Sequence, residues 1–149
     1  MERLRRISTS TTIFEKDQPA AFKVEDSKTA AGIRTIPIHP DLLPTYQRRL
    51  EATEDGYLFA GKQDKAGKRL NAVQQRFTKL KREQKFTDLH VFHSFRGTVI
   101  TQLEQAGVSP LAITSIVGHK RGSITFDVYS AGASLRQKLE AISLLSFDF

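Results

Sequence analysis

The sequence predicts an α+β fold: a mainly helical (mainly α) domain with a small antiparallel β-sheet near its N-terminus. Short apolar runs rich in β-branched residues lie between residues 11 and 38, and beyond them apolar residues recur at helical spacing. The chain has 149 residues, which is enough for one hydrophobic core, so a single domain is expected. Ten phenylalanines and no tryptophan predict a core rich in phenylalanine.

Three apolar runs predict the strands of the sheet, namely Thr11 to Phe14, Ala21 to Val24 and Ile33 to Ile38. The segment from residue 25 to residue 32 is polar and contains small residues, which is typical of a hairpin tip. Lys28 is therefore expected on an exposed tip between the second and third strands.

The remaining apolar patterns predict helices. We expect them to begin at Pro40, Leu70, Ser94, Ser109 and Ser134, with stops at Gly107 and Gly118 and a further short turn from Ser123 to Tyr129. The helix from Leu70 to Phe86 has a basic face, which is typical of a solvated surface and equally of a DNA contact. A basic, Gly-containing loop from residue 61 to residue 69 precedes it and could contact phosphates.

Composition narrows the possible functions. The chain has 23 Lys and Arg against 16 Asp and Glu, a net charge of +7, which favours a polyanionic partner such as nucleic acid, although basic domains can also owe their charge to solubility. The absence of cysteine excludes disulfides, thiolate nucleophiles and Cys-ligated zinc. No stretch is apolar enough for a membrane span or a signal peptide, so we expect a cytoplasmic protein.

Three clusters in the C-terminal half hold the residue types that phosphodiester chemistry needs. His93 and Arg96 lie three residues apart at the head of a predicted helix, so both project from nearly the same face. An arginine can hold two phosphate oxygens, and a histidine can exchange a proton near neutral pH. His119 follows Gly118, and Tyr129 comes ten residues after His119. Each feature alone also fits a surface pair, a helix end or a packing residue, but their order favours a catalytic site.

These residues also carry a resemblance to a known family. The stretch HSFRGTVITQLEQAGVSPLAITSIVGHKRGSITFDVYS, residues 93–130, resembles the tyrosine recombinases of phages and genomic islands, from their His-x-x-Arg box through their Gly-His box to their nucleophilic tyrosine. FKVEDSKTAAGIRTIPIHPDLL, residues 22–43, resembles the family's lysine-bearing hairpin and the helix that follows it. The resemblance extends from about Ala21 to Leu139 and implies the catalytic-domain fold of a site-specific DNA recombinase.

The resemblance implies a role for each site residue. Tyr129 would attack the scissile phosphate, forming a 3′-phosphotyrosyl link and releasing a 5′-hydroxyl. Arg96 would bind the nonbridging oxygens and His119 would donate a further hydrogen bond to them. His93 would accept the phenolic proton or orient the phenol, and Lys28 would protonate the leaving 5′ oxygen. The implied mechanism needs no metal and no cofactor.

The resemblance also implies parts that have no counterpart in residues 1–149. The family has another catalytic arginine on a helix shortly before the first strand, and an N-terminal DNA-binding domain. We therefore expect a partial catalytic domain that cleaves DNA weakly or not at all and binds it in a salt-sensitive, largely nonspecific way. For the full-length protein the resemblance implies a tetramer on double-stranded DNA that carries an attachment site, within the nucleoid of a bacterial cell.

Two other functions remain open at this point. A non-catalytic DNA-binding module would explain the charge and the helix, turn and helix from Thr98 to Val117, which superficially suit a helix-turn-helix. A metal-free phosphodiesterase or ribonuclease could use His93 and His119 as acid and base. The first leaves the order of the site residues unexplained, and the second gives Tyr129 no role.

Overall fold

A computed structural model describes residues 8–25, 27, 32–59, 71–119 and 132–147, with backbone only at residues 71 and 72. The strands are β1 (Thr12–Glu15), β2 (Gln18–Val24) and β3 (Arg34–Pro37), and the helices are α1 (Leu43–Glu51), α2 (Asn71–Glu83), α3 (Ser94–Gln105), α4 (Pro110–Val117) and α5 (Leu135–Ile142). The predicted α+β class is confirmed. The basic loop at residues 61–69 and the turn predicted from Ser123 to Tyr129 lie outside the described residues.

The sheet is antiparallel, with the strand order β1-β2-β3. Lys16 and Asp17 form the two-residue turn between β1 and β2, and both have positive φ, 48° and 61°, as the preferred hairpin turns require. β2 begins earlier than predicted and includes Pro19, a residue that normally argues against a strand interior. Pro19 is accommodated near the strand end, where the register against β1 shifts between Ile13 and Phe14.

The connection between α3 and α4 follows the predicted pattern of stop and start signals. Gly107 is left-handed, with φ of 75°, and its N–H donates to the carbonyl of Glu104 at 3.0 Å. The N–H of Val108 donates to the carbonyl of Leu103, also at 3.0 Å, which completes a Schellman motif. The Ser109 hydroxyl then accepts a hydrogen bond from the first turn of α4 at 3.3 Å.

The end of α2 differs from the prediction, which extended this helix to Phe86. The helix ends at Glu83, and Lys85 adopts a left-handed conformation with φ of 56°. The N–H of Phe86 donates to the carbonyl of Lys81 at 2.9 Å, and that of Lys85 to the carbonyl of Arg82 at 3.0 Å, the bonds of a second Schellman motif. A lysine thus occupies the position that glycine usually marks, so the sequence contained no stop signal here.

The tight core lies between α3, α4 and α5 and consists of aliphatic side chains: Leu103, Ile113, Ile116, Val117, Ala141 and Ile142, with Val99, Ile100, Val108 and Leu145 packed against them. The predicted phenylalanine-rich core is wrong for the described residues, since none of their phenylalanines is buried. The small space between short, closely packed helices is filled by branched aliphatic side chains. The described phenylalanines lie instead on the sheet, after α1, on α2 and just after it, at the start of α3 and near the C-terminus.

The sheet joins this helical core through β3, which packs against both α4 and α5. The helix α1 packs against β2, where the rings of Tyr46 and Phe22 stack with centroids 6.3 Å apart. The Tyr46 hydroxyl lies 2.9 Å from the Thr12 hydroxyl. Burial raises the pKa of Tyr46, and this hydrogen bond opposes the increase. In the described part of the chain, no helix combines the length and apolar character needed to cross a bilayer.

Candidate active site

The first turn of α3 carries two of the predicted site residues. His93 is the residue that caps the helix and its side chain is exposed, while Arg96 is half-buried. The N–H of Arg96 donates to the carbonyl of His93 at 3.0 Å, so the two residues belong to one continuous turn. The Ser94 hydroxyl accepts a hydrogen bond from the N–H of Val91 at 3.1 Å and fixes the entry of the chain into the helix. The continuous turn predicted from the spacing is present, and the shared face of the two side chains stays a prediction.

Three phenylalanines connect this turn to α2. The rings of Phe77, Phe92 and Phe95 form an aromatic triangle in which each pair meets edge to face, at centroid distances of 5.4 to 5.8 Å. Phe92 and Phe95 precede His93 and Arg96 by one residue each, which rotates the two pairs by about 100° about the helix axis. The aromatic pair therefore faces α2 and leaves the His–Arg pair on an adjacent side.

The end of α4 carries the third predicted residue. Most of α4 is buried, and the helix stops at Gly118, which has φ of 72° and donates its N–H to the carbonyl of Thr114 at 2.8 Å. Such a left-handed residue favours glycine because it has no Cβ. His119 follows directly and its side chain is exposed. The sharp turn predicted at Gly118 is confirmed, and it directs the chain away from the core at His119.

The helices α3 and α4 share one core, and this sets the relation between the two halves of the site. Val99 and Ile100, one turn after Arg96, pack against the same cluster as Val117. A connection of only four residues, 106–109, joins the two helices. The first turn of α3 and the last turn of α4 are therefore each the part of their helix that is remote from this connection. Arg96 lies in that first turn with His93 directly before it, and His119 follows the last turn of α4 by two residues.

Tyr129 and Lys28 lie outside the described residues, so their predicted roles remain predictions. The structure does describe the residues that flank them. On the far side of the tyrosine, the buried N–H of Ala133 donates to the Ser115 hydroxyl of α4 at 3.3 Å. Both flanks of the segment 120–131 are therefore attached to α4, one through the chain at His119 and the other through Ser115. The hairpin that contains Lys28 is closed at the pair Val24 and Arg34.

Arg34 is a site-proximal residue that the sequence did not reveal. Its Nε donates to the carbonyl of Ile116 in the last turn of α4 at 2.6 Å, and its Nη1 donates to the carbonyl of Gly32 at 2.7 Å. Arg34 and Ile116 are 82 positions apart in the chain. No local pattern separates this arginine from the other basic residues, because the carbonyl it binds is brought to it only by the packing of β3 on α4.

The helix α2 presents cationic side chains beside the aromatic triangle. Lys79 pairs with Glu83 at 3.7 Å, and Lys81 pairs with Asp88 at 3.3 Å. The side chains of Arg76 and Arg82 are exposed. Of the basic face predicted for this helix, Arg76, Lys79 and Arg82 are exposed, whereas the Lys81 side chain is only 15% exposed. The exposed part of this face lies on the helix that contacts the turn with His93 and Arg96.

The burial of α4 bears on the helix-turn-helix alternative. A recognition helix must expose the side chains that enter a DNA groove. In α4, however, Ala112, Ile113, Ser115, Ile116 and Val117 are buried. The pair α3 and α4 is therefore built as a core element, and the non-catalytic module based on it is not favoured. No group of three or more potential metal ligands occurs among the described residues, and the predicted metal-free reaction stays a prediction.

Comparisons with known proteins agree with the resemblance read from the sequence. Residues 9–135 match the Phage integrase family. The chain is also similar to a protein named Tyrosine recombinase XerC-like from Caldanaerobacter subterraneus subsp. tengcongensis, with 25% identity over 166 aligned positions. That alignment covers 97% of the chain and 40% of the relative, so the chain spans about two fifths of the relative's length. No solved structure matches the chain significantly.

Proposed function

Because the chain belongs to the Phage integrase family, we propose that it contributes the strand-cleaving and rejoining chemistry of site-specific DNA recombination. The observation that carries this proposal is the extent of the family match, residues 9–135, which includes all five predicted site residues. The fold supports it, since the turn with His93 and Arg96 and the turn with His119 both belong to helices of one packed core.

In the proposed reaction, the Tyr129 oxygen attacks the scissile phosphorus and the bond from phosphorus to the 5′ oxygen breaks. The phenolic proton passes to His93, and the leaving 5′ oxygen takes a proton from Lys28. The 3′-phosphotyrosyl link keeps the phosphate in an activated ester, so a 5′-hydroxyl of another strand can reverse the step and rejoin the DNA.

Arg96 and His119 act on the charge that develops at the nonbridging oxygens during this transfer. Hydrogen-bond donors stabilise such charge best when they are already in place, because no reorganisation is then needed in the transition state. The half-buried guanidinium of Arg96 in the first turn of α3 and the imidazole of His119 after the rigid end of α4 suit this role. Their rigid supports favour catalysis over nonspecific phosphate binding.

The relative is longer than the chain, and parts of the proposed function extend beyond these residues. We include in the proposal a further arginine on a helix before β1, double-stranded DNA with an attachment site as the substrate, and a tetramer as the active assembly. An enzyme of this kind works where the DNA is, so association with the nucleoid belongs to the same proposal.

The test is covalent capture of DNA. The chain, and a version extended upstream by the helix with the further arginine, are incubated with nicked DNA that carries the attachment site, and adducts that survive denaturation are counted. We expect the extended protein to form an adduct and Tyr129→Phe to abolish it. The chain has three tyrosines, so Tyr57→Phe serves as a matched control that removes the same oxygen elsewhere and should retain the adduct.

Other results would identify the alternatives. An adduct that persists in Tyr129→Phe would contradict the assignment of the nucleophile. Salt-sensitive DNA binding with no adduct from either protein would favour a binding module without chemistry. Cleavage of RNA that persists in Tyr129→Phe would favour the ribonuclease.

A further inference from the structure

We propose that Arg34 is a positioning residue: its guanidinium holds the last turn of α4 against β3 and thereby fixes the direction in which His119 leaves the helix. The inference concerns the organisation of the site, and it rests on the proposed function only for the catalytic importance of His119.

The carboxyl end of α4 needs hydrogen-bond donors from outside the helix. The last carbonyls of an α-helix have no partner within the helix and require donors from elsewhere. Gly118 satisfies the carbonyl of Thr114, and the Nε of Arg34 satisfies that of Ile116 at 2.6 Å. Ile116 is buried, so water is a poor substitute for this donor. A positive charge at the carboxyl end of a helix is also favoured by the helix dipole.

The guanidinium of Arg34 donates hydrogen bonds to two separate parts of the chain. Nη1 donates to the carbonyl of Gly32 at 2.7 Å while Nε binds Ile116. The same planar group therefore joins the end of the hairpin to the end of α4. An ammonium group is a single point charge on a flexible stem and lacks this rigid pair of donors, so lysine can replace the arginine only in part.

The bond from Arg34 to Ile116 lies close to His119 along the chain. The carbonyl that Arg34 binds lies three residues before His119, within the turn that Gly118 closes. If this bond is lost, the last turn of α4 is held less firmly against β3. A small displacement of the helix end then moves His119, which directly follows Gly118. A shift of about 1 Å in a catalytic group can lower a rate on the order of 10²-fold.

The chain offers a matched control on the same strand. Lys138 of α5 donates from Nζ to the carbonyl of Thr35 in β3 at 3.2 Å, so it too is a cationic side chain bound to a backbone carbonyl of another element. Its bond ties β3 to α5 and does not involve the last turn of α4. Lys138→Met should therefore reduce stability without moving His119.

The first experiment follows the imidazole of His119 by NMR in the full 149-residue chain, with the signal assigned through His119→Gln. We expect Arg34→Met to shift the signal, Arg34→Lys to give an intermediate shift, and Lys138→Met to leave the signal unchanged. An unchanged His119 signal in folded Arg34→Met would overturn the inference. If Arg34→Met fails to fold, Arg34→Lys decides, because the inference requires it to shift the signal.

The second experiment is a double-mutant cycle on the rate of covalent capture by the upstream-extended protein. We expect Arg34→Met to slow capture by about 10- to 100-fold and to add little when His119→Gln is already present, since both changes remove the same function. If the loss of capture rate in the double variant equals the product of the losses in the two single variants, Arg34 acts independently of His119 and the inference is refuted. If the unmodified protein captures no DNA, the proposed function fails, while the NMR result still decides the role of Arg34.

Discussion

The helices α4 and α2 differ in how far their side chains are buried. Five of the eight residues of α4 are buried, whereas no described side chain from residue 73 to residue 102 is buried. α4 is rich in β-branched residues, which are weak helix formers, and α2 is rich in Gln, Lys and Arg, which are stronger ones. Packing therefore makes α4 helical, while α2 depends more on its local sequence and on the aromatic triangle.

This difference corresponds to two proposed tasks. A catalytic histidine needs a support that does not move, and α4 provides it through the core and through its bonds to Arg34 and Ala133. A surface that tracks a DNA backbone needs exposed cations, and α2 provides them beside the site. The chain thus combines a rigid element with an accessible one around the first turn of α3.

The largest effect is expected from truncation of the core. Leu103 is fully buried in α3, and Leu103→Ala should lower the free energy of unfolding by about 2–5 kcal/mol, because the side chain is lost and a cavity is left. Leu80→Ala is the matched change on α2, where the side chain is 53% exposed, and should cost less than about 1 kcal/mol. Urea unfolding measures both. Equal losses would show that α2 is packed as tightly as the core.

A smaller effect is expected from breaking the aromatic triangle. Phe77→Ala removes two of its three ring pairs, each contributing about 0.5–1.5 kcal/mol, so a loss of about 1–3 kcal/mol is expected. Hydrogen exchange should show that protection falls in α2 and at the start of α3 but persists in α4. Loss of protection in all three helices together would mean that α2 and the core unfold as one unit. Phe14→Ala, on β1, is the control for removal of a half-exposed ring.

The smallest effect on stability, and a specific one on binding, is expected at Arg76 and Arg82. Changing both to Gln should leave unfolding unchanged and reduce the salt dependence of DNA binding, with a slope lower by about 0.9 for each lost phosphate contact. The control is Arg136→Gln on α5, where the arginine pairs with Glu140 at 3.2 Å. Fluorescence anisotropy over a salt series measures the slope. If the salt-dependence slope of the Arg76 and Arg82 double variant equals that of Arg136→Gln, α2 is not part of the DNA-binding surface.

The sequence was most informative where structure depends on neighbours along the chain. The stop at Gly107, the caps at Ser109 and Ser134 and the turn at Gly118 were all predicted, because each depends on bonds that span a few residues. The end of α2 was not predicted, because Lys85 adopts a left-handed conformation that a lysine in the sequence does not indicate. Of the site, the pairing of His93 with Arg96 in one turn was accessible for the same local reason.

Periodicity, capping residues and motif spacing are local properties, so they sufficed to predict the α+β class, the order of the elements and the candidates His93, Arg96, His119 and Tyr129. The candidate role of Lys28 came from the family resemblance alone. Tertiary packing was needed to show that the core between α3, α4 and α5 is aliphatic, that none of the described phenylalanines is buried, and that Arg34 and Ala133 bind α4 from distant parts of the chain. These features depend on which surfaces meet after the chain has folded. A contact across 82 positions is set by the packing of the elements between its ends.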